Sequence, residues 1–240
     1  MCKMPSKKDF LALGCATGLL LTAKSFPPQA INIEVAITVD NSYALFYGTP
    51  TAATNFVGSD FDWPSTETYS FNLPANQFIY VVTASDLAVA QAFLGQFDNL
   101  DSGYKFYSND PQWEVMATGL GNTGAPYTGS AADLALLTQE ILDANGGGNP
   151  SSGWVGLTAG PVNGGGPWGL RPDIDAAAYW VWYSSNGDPD PTTPGFDHDE
   201  WLVFRIAVAA PEPGCLTLLG LGLAGLGAMR WRNAGSRSGQ

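Results

Sequence analysis

Ten consecutive residues, Ile31–Asp40 (INIEVAITVD), carry a β-branched apolar side chain at every odd position and a polar or small one between. A period of two puts Ile31, Ile33, Val35, Ile37 and Val39 on one face of a strand, whereas a helix would scatter them. A strand with one apolar face must meet a second apolar surface, so the segment commits the chain to a packed sheet. Short β-rich runs follow at 43–48 (YALFYG), 68–73 (TYSFNL), 78–84 (FIYVVTA), 90–97 (AQAFLGQF), 104–108 (YKFYS), 113–117 (WEVMA), 176–185 (AAAYWVWYSS) and 200–209 (EWLVFRIAVA). Strands of this length and spacing predict a mostly β fold, a two-sheet antiparallel β-sandwich over residues 31–210. Residues 74–76, Pro-Ala-Asn, mark a turn between the third and fourth of these strands, and FIYVVTA is apolar enough to be central.

One segment breaks the pattern. In SAADLALLTQEILDANGGG, Ser130 is placed to cap a helix, with Asp133 three residues on. Leu134, Leu137 and Ile141 form its apolar stripe, and the glycines from Gly146 stop it. This predicts a single amphipathic helix laid against the sandwich.

Charge and cysteine exclude several classes of function. Between residues 31 and 210 stand three basic residues (Lys105, Arg171, Arg205) against twenty acidic ones, a formal charge of −17. Such a surface repels phosphate backbones, which argues against nucleic acid as a partner. The three cysteines, Cys2, Cys15 and Cys215, all lie outside that span, so the body has no disulfide, no thiolate nucleophile and no Cys-ligated metal.

The two ends read as addresses. Lys7 and Lys8 precede an apolar run of 14 residues, Phe10 to Ala23, ahead of Pro27-Pro28. A basic start and a run shorter than the roughly 20 residues of a membrane span describe a secretory signal helix within residues 1–30, implying the Sec translocon as partner. At the other end come Pro211-Glu212-Pro213, an apolar run over 215–229, then Arg230 and Arg232. These three parts, in this order over 211–240, resemble the PEP-CTERM sorting signal of Gram-negative bacteria. Two prolines keep the triplet extended and open to a protease, and four glycines make the following helix a poor permanent anchor. The arginines stay on the cytoplasmic side. The resemblance implies export, transient contact of 215–229 with the inner membrane, recognition by an exosortase-type membrane protease, and delivery to the cell surface or extracellular matrix.

The body carries a second resemblance. DNSYALFYG (40–48), WPSTETYSFNLPANQFIYVVTASD (63–86) and the pair AAYWVWY with DEWLVFRIAV resemble a turn-strand, the next hairpin and the closing strand pair of galactose-binding-like jelly rolls. Members of that fold often bind sugars, so the resemblance implies a jelly-roll-like sandwich with a glycan among its candidate ligands.

The residues that could carry chemistry are few. His198 is the sole histidine, no G-x-S-x-G occurs, and H-E-x-x-H cannot be built, so neither a Ser-His-Asp hydrolase nor a zincin is supported. GLGNTG (119–124) matches a phosphate-binding glycine pattern, but Pro126 stands where its helix should begin, and a loop is expected. Asp60 and Asp62 form one acidic group. Asp188, Asp190, Asp197, Asp199 and Glu200 surround a Pro/Gly loop and either hold a structural Ca2+ or remain a hydrated surface. Trp154, Trp168 and Arg171 lie in a Gly/Pro-rich stretch, GWVGLTAGPVNGGGPWGLR, where large aromatics either fold back on the sandwich or meet a ligand; an indole stacks well on a sugar ring. Trp113, Trp180, Trp182 and Trp201 are expected in strands as core residues. The reading is a non-enzymatic, exported surface or matrix protein associating with extracellular polysaccharide. A secreted polysaccharide hydrolase with paired carboxylates and a self-associating structural matrix protein are the alternatives.

Overall fold

The computed structural model describes residues 29–84, 90–121, 129–148, 153–184 and 200–208. The strands are β1 (Ile31–Asp40), β2 (Ser42–Thr49), β3 (Ala52–Asp60), β4 (Glu67–Leu73), β5 (Phe78–Ala84), β6 (Ala92–Asn99), β7 (Tyr104–Tyr107), β8 (Glu114–Gly121), β9 (Thr158–Val162), β10 (Tyr179–Trp182) and β11 (Glu200–Ala207). The helix α1 (Ala131–Asn145) lies between β8 and β9. Both expected terminal helices, signal and sorting, lie outside the described residues. Among the described residues no helix is long and apolar enough to cross a membrane.

Two antiparallel sheets form. The first runs β4-β1-β6-β10-β9, with β7 beside the far half of β6; the second runs β3-β2-β5-β11-β8. The odd residues of β1 meet Leu45, Ile79, Val81, Phe93, Phe97, Phe204 and their neighbours in the core between the sheets. Gly95 sits on the inner side of β6 with the Phe93 and Phe97 rings closing over it, 2.8 and 2.9 Å from where a Cβ would stand. Two further apolar layers cover the outer faces. Helix α1 places Leu137, Ile141 and Ala144 over Phe46, Tyr80, Val82 and Val203 of the second sheet. Segment 163–178 places Trp168 and Ile174 over Ala92, Leu94 and Trp180 of the first.

That second cover changes the expected character of β1. Its even positions Asn32 and Glu34 are exposed, but Thr38 and Asp40 are buried, because Trp63 and Trp168 close over the last turn of the strand. The strand is half-buried at one end and enclosed at the other.

Two expected pairings do not form. β4 and β5 are not a hairpin: β4 pairs with β1 and β5 with β2 and β11, so turn 74–77 carries the chain from one sheet to the other. β5 is buried on both faces, by the core on one side and α1 on the other, as a central strand between β2 and β11, while β4, exposed at alternate residues, serves as an edge strand. Asn76 takes φ 62° in that turn, the left-handed position where asparagine substitutes for glycine. Nor do β10 and β11 pair; they lie in different sheets. Strands β3 and β9 were not foreseen. β3 is polar and glycine-bearing, and β9 contains Pro161; both are edges, where a missing donor and a wet face are tolerated.

β1 begins opposite Leu73, and β11 ends opposite Phe78. Residues 31 and 207 therefore leave the sandwich at the same pole, beside turn 74–77. Asp40, Ser42, Ala84 and Glu200 mark the opposite pole.

Candidate functional site

The 163–178 segment is wound by side-chain bonds rather than by regular structure. Buried Asn163 donates its amide to the carbonyls of Arg171 (2.9 Å) and Ile174 (2.7 Å) and accepts from the Arg171 backbone N–H (2.8 Å). The Asp175 N–H donates to Gln96 Oε1 (2.9 Å), fixing the far end of the segment to β6. Gly164 and Gly169 take φ 100° and 72°, and this Gly-rich turn delivers Trp168 inward. Trp168 stacks on Trp180 at 4.5 Å, and its indole N–H donates to Asp40 Oδ2 (2.7 Å).

Arg171 emerges beside this stack. Its guanidinium carbon lies 5.0 Å from the ring centre of Trp63 and 6.0 Å from that of Trp180. Among the described residues the guanidinium has no ion pair, and its buried Nε finds no acceptor. Burial pulls its pKa below the ordinary value, while the charge of nearby Asp40 pulls it back; an arginine stays protonated under either influence. The Trp180 Nε1 in the same cluster is also buried without an acceptor. A buried donor left unmade costs about 1–3 kcal/mol, so two in one cluster are informative. Leu170, Val162 and Tyr179 are exposed apolar neighbours in chain or register.

Trp154 sits elsewhere. It packs on the outer face of the second sheet, against the layer under α1, and so on the other side of the sandwich from Trp168 and Arg171. Arg205 lies 3.6 Å over its ring and 5.2 Å from that of Phe78. The Arg205 guanidinium donates to Glu114 Oε2 (2.9 and 2.8 Å) and to Asn145 Oδ1 (2.9 Å), which also accepts from Trp154 Nε1 (2.8 Å). Through Asn145 and Arg205, Trp154 thus ties the C-terminal end of α1 to the sheet. The three residues singled out from the sequence do not form one site: Trp168 and Arg171 come together, joined by Trp63, Trp180 and Asn163. Sequence reasoning missed Trp63 as a partner of Arg171, since more than a hundred residues separate them and no local pattern links them.

Of the five acidic calcium candidates, Glu200 alone is described; it is buried, and its Oε2 accepts from the Gly119 N–H (2.8 Å). Asp188, Asp190, Asp197 and Asp199 lie outside the described residues, as does His198. No group of three or more His, Cys, Asp or Glu is placed to hold a metal among the described residues. Asp60 Oδ2 accepts from the Asp62 N–H (3.0 Å), which closes a turn. Gly119–Gly121, expected in a loop, complete β8, where a bulge opposite Glu200 and Leu202 absorbs Gly119 at φ 70°. Trp113, Trp180, Trp182 and Trp201 are buried as expected. A cleft of about 250 Å³ opens beside Trp113, Asp110 and Val181 where residues 155–162 pass from the edge of β8 to that of β10. The carboxylate at its rim is engaged locally, accepting from the Gln112 N–H (2.9 Å).

No family model, curated protein or solved structure matches this chain.

Proposed function

We propose that this chain is an exported, non-enzymatic surface or extracellular-matrix protein that associates with polysaccharide through the face formed by Trp63 and Arg171 over the buried Trp168–Trp180 stack. The observation that carries the reading is the Arg171 guanidinium, set against the Trp63 indole with no acceptor or counter-ion among the described residues. The half-buried Trp63 indole offers an apolar surface to a sugar ring, and the adjacent fork of N–H donors serves its oxygens, while buried Trp168 supports the site from beneath. The described residues offer no corresponding arrangement of nucleophile and base. Export and sorting belong to the same proposal. Residues 1–30 direct secretion, Pro211-Glu212-Pro213 meets an exosortase-type protease, and 215–229 contacts the inner membrane only transiently. Winding of the two sheets as a jelly roll is the finer fold reading that accompanies it.

The test is co-sedimentation of the full chain with a panel of neutral and acidic polysaccharides, followed by tryptophan fluorescence. Saturable binding that weakens at least tenfold in Trp63→Ala is the expected outcome. Failure to bind any polysaccharide in the panel overturns the proposal.

A further inference from the structure

Resting on the polysaccharide reading, we infer that the ligand is acidic, with a planar sugar carboxylate seated edge-on against the Arg171 guanidinium. Three cations stand among the described residues. Lys105 is paired with Asp98 (3.1 Å) and Arg205 with Glu114 (2.8 Å), but Arg171 has no ion pair with any described residue. In a body with twenty acidic residues, an unpaired cation is the exception that needs a reason. The nearest candidate partner, Asp40, is turned to the Trp168 indole N–H instead and lies outside ion-pair distance of Arg171.

The neighbours of Arg171 also define which part of it is available. The Trp63 and Trp180 rings lie 5.0 and 6.0 Å from the guanidinium carbon and Nε is buried, so a ligand meets the terminal N–H groups of the fork. An edge of that fork matches the two oxygens of a carboxylate, whereas a lone sugar hydroxyl satisfies one donor and no charge. Asn163 pins the Arg171 backbone on both its N–H and carbonyl, so the side chain starts from a fixed point beside Trp63. The −17 body repels a polyanion at long range, so such a polymer has no diffuse attraction to this protein. Its binding then depends on this one anchor.

The experiment compares polygalacturonate with the same polymer fully methyl-esterified, using the full chain, Arg171→Gln and Arg171→Lys. The ester keeps the rings and removes the charge and the two equivalent oxygens. Expected is binding of the acid form at least tenfold tighter than the ester, with Arg171→Gln reducing the acid form to the level of the ester. Arg171→Lys, a point charge without the fork, should recover only part of that difference. Equal affinity for acid and ester, both weakened by Trp63→Ala, would overturn the acidic-ligand inference while leaving polysaccharide binding intact. Tighter binding of the acid form that Arg171→Gln leaves unchanged would also overturn it. Binding of neither polymer nor any other polysaccharide would overturn both. Thermal unfolding of each variant shows that loss of binding is not loss of fold.

Discussion

Two arginines in this protein lie against tryptophans, and their different wiring separates a structural residue from a ligand-facing one. Arg205 is enclosed between Trp154 and Phe78 and bonded to Glu114 and Asn145. Its replacement by alanine removes a paired, mostly buried charge and two stacking contacts, and should cost about 2–4 kcal/mol. For a domain of this size that lowers the melting temperature by roughly 5–15 °C, readable by calorimetry. Arg171→Gln loses no side-chain hydrogen bond to a described residue, only stacking worth about 1 kcal/mol or less, and should melt within about 4 °C of the parent. Tyr80 gives a third test. Its hydroxyl donates to the Thr49 carbonyl (2.6 Å), and burial pushes its pKa up to about 12 from 10.0. Because the folded value is the higher, its contribution is complete below pH 10 and is lost as pH rises towards 12. Urea unfolding should show stability falling over that window, less steeply in Tyr80→Phe. Residue-level prediction from sequence succeeded where a side chain acts locally, as with Ser130. It failed to distinguish Trp154 from Trp168, because both lie in one Gly/Pro-rich stretch and only the fold sends them to opposite faces.

Local chemistry also explains which elements were legible. The period-two pattern of β1 and the stripe and cap of α1 are carried within each segment, and the structure has both at the expected positions. Ser130 Oγ accepts from the Asp133 N–H (3.2 Å), so Ser130→Ala should destabilise the protein by about 1 kcal/mol in chemical denaturation. β3 and β9 were illegible because an edge strand is defined by the neighbour it pairs with, and its own sequence can be polar or contain proline. Pairing itself is a long-range property: nothing in turn 74–77 announces a change of sheet. Gly95 shows the same dependence. Its neighbours Phe93 and Phe97 meet at 6.4 Å and 81° above it, and Gly95→Ala should cost about 1–3 kcal/mol by forcing those rings apart. A circular dichroism melt of that variant, with loss of near-ultraviolet aromatic signal ahead of backbone signal, checks the mechanism.

For the whole molecule, the proposal that 211–240 sorts the chain predicts a change of location without a change of fold. In a Gram-negative host with an exosortase, Pro211→Ala with Glu212→Ala should shift the protein from the surface fraction to the membrane fraction at unchanged melting temperature. Equal distribution of parent and variant would remove the sorting reading. The placement of residues 31 and 207 at one pole has a mechanical consequence. β1 spans about 33 Å at 3.3 Å per residue, and Trp63 meets Thr38 near its far end. A polymer held there and a tether attached after residue 208 pull from opposite ends of the sandwich. The tension runs along the axis of β11, which β5 and β8 flank on either side. Loaded lengthwise, those ladder bonds strain together in shear instead of opening one after another like a zip.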